Sequence, residues 1–576
     1  MLSLLTCCFP WKTDDRKRWR QIEESASRER LQTLPSWTAP DNTLIFQGFE
    51  WHVPADGQHW RRLSRALPGL KAIGIDSVWL PPGCKGMDPN GNGYDIYDLY
   101  DLGEFEQKGA RRTKWGSRED LEELTRTAKE FGLGLIWDAV LNHKAGADYP
   151  EMCRAVKVDP ERRTVAISKP SSISAWTGFE FAVRGDTYSS MKYHSQHFSG
   201  VDWDDNSKQG GIYLILGEVG NQDKKWAHDV STEKGNYDYL MFADLDLSHP
   251  EVRADMFNWS CWITEQLSLD GMRLDAAKHM STGFQRAFVE HIQKKVPGFY
   301  IIGEYWTANI RELVSYLDIM QYTVLAYDVP LVEKFSKLSR TRGADLRRIF
   351  DGTLVQCKPE HAVQSGQMMD TPVSPSFKLL AYALILLRKE GRPCLFYGDL
   401  YGIRANVKHP NIPSCNGKLP ILTQARKHFA YGEQQDYFDA PNCLGFIRYG
   451  NARHPSGLAC VMSNDGPASK RMYVGPGRAG EEWTDLLRPQ APPVIIDHCG
   501  HGLFPVEDLS VSVWVPAQAV TELEGEKIHS DLPVHPLPIA NSMVGGNHGT
   551  CLCPILAGSA LDSWLAGIPD RLLPSH

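Results

Sequence analysis

Short apolar runs alternate with longer amphipathic stretches from residue 42 to about 430, the order a parallel α/β fold requires. Eight runs read as strands: NTLIFQGF (42–49), DSVWLPP (76–82), LGLIWDAVLNH (133–143), GMRLDAA (271–277), YIIGEYW (300–306), TVLAYDVP (323–330), GTLVQCK (352–358) and CLFYGD (394–399). Helical patterns separate them. WRRLSRALPGLKAIG ends on Gly74, a residue suited to closing a helix in the left-handed region. SREDLEELTRTAKEFG opens on Ser117 with Glu119 and Asp120 behind it, which suits a capped N-terminus and its dipole. SPSFKLLAYALILLRKEG has a broad apolar face and a basic last turn. Eight such units predict a closed (β/α)8 barrel.

One connection breaks the rhythm. Between His143 and the helix near His249 lie about a hundred residues rich in Gly, Asp, Ser and aromatics. A structureless loop of that length is improbable in a compact domain, so an inserted β-rich domain after strand three is expected over 144–246. The barrel then occupies 36–143 and 247–440. Beyond it, LGFIRYG, GLACVMSN, KRMYVGPG and VSVWVP predict a C-terminal antiparallel β-sandwich over 441–520. Residues 1–35 read as a charged N-terminal extension, and 521–576, rich in Pro, Gly and Ser, as a disordered tail.

Composition adds exclusions. The chain has 576 residues, more than one typical domain holds, and a net charge of −8, which speaks against an electrostatic nucleic-acid or membrane binder. Its 13 cysteines are odd in number and show no metal-binding or disulfide spacing, as in a reducing compartment. The start, MLSLLTCCFPWK, has neither a basic leader nor a cleavage site, so a cytoplasmic monomer without a membrane span is expected. Cys7 and Cys8 are read as unmodified thiols. Seventeen tryptophans and 21 tyrosines offer rings for stacking on flat sugar faces, although most aromatic residues fill cores.

Polar residues at the C-terminal ends of barrel strands are catalytic candidates. Strand three ends Asp138-Ala139-Val140-Leu141-Asn142-His143, strand four contains Arg273, Asp275, Lys278 and His279, and strand five ends Gly303-Glu304-Tyr305-Trp306. The turn after strand two holds Tyr94. Glycoside hydrolysis needs two carboxyl groups with different tasks, about 5–5.5 Å apart when configuration is retained. Asp275 and Glu304 close adjacent strands, which lie about 4.8 Å apart, so that spacing is available. Arg273, two residues before Asp275, faces the same way and is expected to hold its carboxyl down and ionised. Glu304, beside Tyr305 and Trp306, is expected in drier surroundings that raise its proton affinity. Taken alone, each acid reads rather as a rim ion pair; the combined set reverses that reading.

These segments, with FEWHVPADGQHW, YDLYDLGEFEQKG, NYDYLMFADLDLSHP and LFYGDLYG, resemble glycoside hydrolase family 13, the α-amylase family, over about 42–517. The similarity is closest to liquefying bacterial amylases and their intracellular fungal relatives. It implies a catalytic barrel with an inserted B domain, and an α-glucan substrate. By position it implies Asp275 as nucleophile, Glu304 as acid/base and Asp138 with Arg273 as their support. Tyr94, His143, His279 and His361 would bind the sugar, with Lys278 and Trp306 on the leaving-group side. It also implies a structural Ca2+ held by Asn142, Asp238, Asp244 and the carbonyl of His279, while Ala227 at an expected carboxylate position erodes a second metal cluster.

One departure is expected to matter. Aligned on Gln364-Ser365-Gly366-Gln367, the family's Asn-His-Asp at the end of strand seven becomes Glu360-His361-Ala362, so Ala362 stands where a third carboxylate should grip the sugar. Glu360 faces the same side and is a partial substitute. Three functions follow: a weakened α-1,4-glucan hydrolase, a transglycosylase on the same barrel, and an α-glucan-binding protein of cell-wall glucan metabolism with little turnover.

Overall fold

The structure is a computed structural model and describes residues 42–217, 224–366, 372–403 and 414–522; the expected N-terminal extension and tail lie outside the described residues, apart from the last residues of the helix Ala517–Glu522. Eight parallel strands close into a barrel in chain order: β1 (Ile45–Gln47), β2 (Ser77–Trp79), β3 (Gly134–Ala139), β4 (Gly271–Leu274), β5 (Tyr300–Gly303), β6 (Leu325–Tyr327), β7 (Ala362–Ser365) and β8 (Arg392–Phe396). Nearly every strand residue is buried, because side chains fill the barrel inside and helices cover it outside.

The helices obey their local signals. Ser117 accepts from the backbone of Asp120, which reaches back to the Ser117 N–H, a full capping box for the helix Arg118–Glu130. After the helix His59–Ala72 the chain turns at Gly74 with φ 98°. The helix Pro375–Leu387 is apolar almost all round and almost wholly buried.

Strand seven differs from its sequence reading. Residues 352–358 are not a strand; Leu354–Cys357 form a helical turn. Thr353 caps it through Gln356 N, and the Asp328 carboxylate accepts from Leu354 N at 2.9 Å and Val355 N at 2.8 Å. Capping by an aspartate far away in sequence overrides the local β pattern. The strand begins instead at Ala362, pairing with Ala326, while Val363 pairs with Arg392.

Between β3 and β4 the chain builds antiparallel strands, the longest Tyr149–Asp159 and Ser171–Gly178, with Phe198–Asp204, Gln209–Ile215 and Ala243–Leu245. A buried ionic set ties this sheet region to the barrel side: Arg184 lies 2.7 Å from Asp98, and Ser189 and Tyr193 donate to Asp255. After the barrel, antiparallel strands from Gln434 to Pro516 pack around Trp483, Phe504 and Trp514. Every cysteine among the described residues is a free thiol. Among the described residues, no helix is long and apolar enough to cross a membrane.

Candidate active site

The register of the parallel strands assembles the site. Arg273 on β4 pairs with Asp138 on β3, and Leu274 pairs with Gly303 on β5. Asp275 and Glu304 therefore leave neighbouring strands at one level, and their backbones are fixed by Asp275 N to Ala139 O (3.1 Å) and Glu304 N to Leu274 O (3.0 Å). Arg273 joins three carboxylates. Its Nη1 donates to Asp138 and lies 2.9 Å from Asp275 Oδ1, and its Nη2 lies 2.6 Å from Glu304 Oε1. The second Glu304 oxygen accepts from Ala276 N at 3.0 Å. Ala276 sits in the left-handed region at φ 53°, which aims its N–H at Glu304.

Asp138 Oδ2 accepts from both Trp79 Nε1 at 3.1 Å and Tyr94 OH at 2.9 Å. Tyr94 stacks on Trp51 with centroids 5.7 Å apart and planes 13° from parallel. Trp51 and Trp79 were not singled out in the sequence. Trp79, at the end of β2, carried the same strand-end signal as the acids; Trp51 carried none of its own.

Asp138 and Asp275 are buried and share one guanidinium with the half-buried Glu304. Burial pushes the Asp275 carboxyl well above the usual range, against the pull of Arg273 and with help from Glu304 and Asp138. Burial likewise raises Asp138 to about 6. The expected depression of Asp275 by Arg273 is therefore corrected: desolvation outweighs the cation, whose charge is divided among three acids.

The flanking histidines are neutral. His143 Nε2 donates to Tyr94 O at 2.8 Å, its Nδ1 is buried without a partner among the described residues, and burial lowers it to about 4. His279 Nδ1 donates to Tyr237 O at 2.7 Å, leaving Nε2 as an acceptor, and burial lowers it to about 3. Lys278 Nζ lies 2.8 Å from Glu233 and 4.9 Å from the Tyr237 ring centre. Trp306 is half-buried next to Glu304.

His361 is elsewhere. It precedes β7, its Nδ1 donates to Val324 O at 2.9 Å, and its ring lies 5.1 Å from Tyr322; both partners precede β6. That is the N-terminal end of the barrel, opposite the carboxylates. Ala362 is fully buried as the first residue of β7, and Glu360 lies in the short turn before it. None of the three stands at the strand end where a third carboxylate belongs. Because β7 starts at Ala362, its C-terminal end is Ser365-Gly366, and no acidic side chain stands there among the described residues.

Of the expected cation ligands, Asn142 follows β3 and Asp244 lies in the inserted strand Ala243–Leu245. Asn142 Nδ2 lies 3.1 Å from Asp244 Oδ1, Ser199 donates to the other Asp244 oxygen, and Ala227 N donates to Asp238 at 2.9 Å. Burial raises Asp238 to about 7, and burial and Asp238 raise Asp244 well above its usual value. Two buried carboxylates and an asparagine amide offer oxygen donors of the hard kind that a calcium ion takes. His197, His249 and Glu251 also gather closely enough to suggest a metal. There, His197 Nδ1 accepts from His194 N at 2.9 Å, so Nε2 bears the proton and donates to Glu251 at 2.9 Å. That tautomer suits a hydrogen-bonded bridge, not a cation.

Comparison with known proteins decides the family. The α-amylase catalytic-domain family matches residues 54–335. The glucan 1,4-α-maltohexaosidase of Bacillus sp. (strain 707) is 42% identical over 82% of this chain and 92% of its own. The chain belongs to the α-amylase family. It is thus a glycoside hydrolase, as its strand-end motifs implied. The cytoplasmic α-amylase of Escherichia coli (strain K12) is 36% identical over 83% of this chain and all of its own. In fold, the chain resembles an α-amylase from Geobacillus thermoleovorans complexed with acarbose, with a TM-score of 0.55 at 16% identity, covering 82% of this chain and 98% of that one.

Proposed function

We propose that this glycoside hydrolase cleaves internal α-1,4-glucosidic bonds of starch- or glycogen-type glucans with retention of configuration. The observation that carries the reading is the single guanidinium of Arg273 between Asp275 and Glu304, on the ends of adjacent strands. Glu304 gives its proton to the glycosidic oxygen while the Asp275 carboxylate attacks the anomeric carbon and forms a glycosyl-enzyme; water, deprotonated by Glu304, then releases it. A second sugar hydroxyl in place of water gives transglycosylation. His143 and His279, neutral at working pH, orient the sugar, with Tyr94 beneath it and Lys278 and Trp306 beside the leaving group.

Turnover is expected to be low. Sugar-hydroxyl contacts that strengthen in the transition state supply several kcal/mol, so the lack of a carboxylate at the β7 end among the described residues is expected to cost about 10²–10⁴ in rate. Asn142, Asp238, Asp244 and the carbonyl of His279 would hold calcium, which supplies positive charge that pins the inserted strands to the barrel. The similarity to a cytoplasmic relative supports a cytoplasmic location.

Incubation with maltoheptaose and calcium, followed by mass spectrometry, tests the reading. Shorter products from the natural chain and none from Asp275→Asn support it. Their absence from both proteins, with maltoheptaose still bound, would make the chain a glucan-binding protein.

A further inference from the structure

A thiol and an imidazole meet on two helices that cover the barrel. Cys261, on the helix Pro250–Leu267, places its Sγ 3.3 Å from Nε2 of His291 on the helix Thr282–Lys295. Helix packing brings the pair together, since the two residues lie 30 apart in sequence. Both side chains are half-buried, so part of each faces solvent.

Aromatic packing fixes the imidazole. Phe257, one turn before Cys261, stacks on the His291 ring with centroids 5.0 Å apart and planes 19° from parallel. On the same helix as His291, Phe284 stacks on Phe257 at 6.0 Å and 25°. Burial and the charges of Lys295 and Lys294 hold the His291 imidazole below its usual value, so it is neutral at neutral pH. With Nδ1 bearing the proton, Nε2 accepts from the thiol. A thiol against a neutral imidazole can lose its proton at the moment it attacks. Lys294 and Lys295 are exposed three and four residues after His291, which puts them on its side of the helix, where they attract an anionic reagent. The acid adjoining His291, Glu290, is engaged by Arg286 at 3.6 Å. Other thiols differ: Cys84, Cys394 and Cys460 are buried, and desolvation pushes them up, Cys394 to about 12.

We propose that Cys261 is a modification site at which a small disulfide bearing carboxylates forms a reversible mixed disulfide with the chain. His291 Nε2 takes the thiol proton as Cys261 Sγ attacks one sulfur of the disulfide. The S–S bond breaks, its electron pair leaves on the second sulfur, and that sulfur takes the proton from His291. The disulfide itself is the oxidant: one new S–S bond replaces the old one, and one small thiol is released.

Oxidised glutathione, a disulfide with carboxylates, is the probe. The full chain is reacted with it at neutral pH, and the adducts are followed by mass spectrometry of the Cys261 and Cys499 peptides, Cys499 being an exposed reference thiol. Cys261 is expected to react about tenfold faster than Cys499, and a reducing thiol to reverse the adduct. His291→Phe keeps a ring against Phe257 but removes the base, and His291→Gln removes the base with a smaller polar group. Each is expected to slow Cys261 about tenfold, with the Cys499 rate and the melting temperature unchanged. Lys294→Gln with Lys295→Gln should slow oxidised glutathione and leave the uncharged hydroxyethyl disulfide unaffected. A Cys261 rate no higher than that of Cys499, or one that both His291 variants retain, would overturn the proposal; equal rates for both disulfides in the lysine variant and the natural chain would overturn its choice of an anionic reagent.

Discussion

Arg273 Nη2 lies 2.6 Å from Glu304 Oε1, while its other terminal nitrogen serves Asp138 and Asp275. One cation thus faces three acids, with consequences for the pH response of the two aspartates. Asp275 works ionised, yet burial raises its carboxyl well above the usual range and Asp138 to about 6. Activity is therefore lost as Asp275 takes up its proton at a pH well above the ordinary aspartate value of about 3.9. Arg273→Lys replaces a planar fork by a point charge that cannot reach all three partners. With less cation contact Asp138 and Asp275 rise further, so the acid limb of kcat/KM moves to higher pH and the rate drops at least tenfold. A pH profile of maltoheptaose cleavage checks both, and a limb near pH 4 in the natural chain would contradict the argument.

His361 and Ala362 give opposite expectations from those of their sequence motif. His361→Ala should leave turnover within about twofold, because the ring binds Val324 at the N-terminal end of the barrel. Ala362→Asp should not restore a catalytic carboxylate; it buries an unpaired charge at a fully covered position, costing about 3–5 kcal/mol. Urea unfolding and the maltoheptaose assay on both variants check this, and a gain of activity in Ala362→Asp would refute the placement of β7.

The difference between β4 and β7 shows what a sequence can disclose. GMRLDAA carries an apolar strand and its strand-end acid in one contiguous segment, so both element and site were readable there. GTLVQCK has equally apolar character, but Asp328, 26 residues before Leu354, caps it into a helical turn, and local periodicity cannot report such a contact. The real β7, AVQS, has only two apolar residues to announce it. The proton affinity of Asp275 was hidden for a related reason: adjacency to Arg273 is written in the chain, whereas depth of burial and the approach of Glu304 arise only once three strands are in register.

Calcium removal should destabilise the chain. Asp238 and Asp244 are buried, burial raises the proton affinity of both, and neither forms an ion pair among the described residues. A cation bound at a hundredfold excess over its dissociation constant stabilises by about 2.7 kcal/mol. A chelator should lower the melting temperature by several degrees and added calcium restore it, with Asp238→Asn abolishing the difference. Calorimetric melts that do not respond to chelator in the natural chain would remove calcium from the account.

The anchorage of the inserted strands rests on Arg184, which lies 2.7 Å from Asp98 with both side chains 1% exposed. Arg184 also donates to the carbonyls of Thr187 and Ser189, so it closes its own loop while reaching the barrel side. Asp98 is further bound by Gln107 Nε2 at 3.0 Å, so it cannot turn to solvent if its cation is removed. Arg184→Ala then leaves a buried, uncompensated carboxylate and is expected to cost about 3–5 kcal/mol. Asp98→Asn in the same chain removes that stranded charge, so the double variant should be more stable than Arg184→Ala alone. Urea unfolding of the two single variants and the double variant decides it: additive losses would mean that the pair contributes packing but no coupled charge.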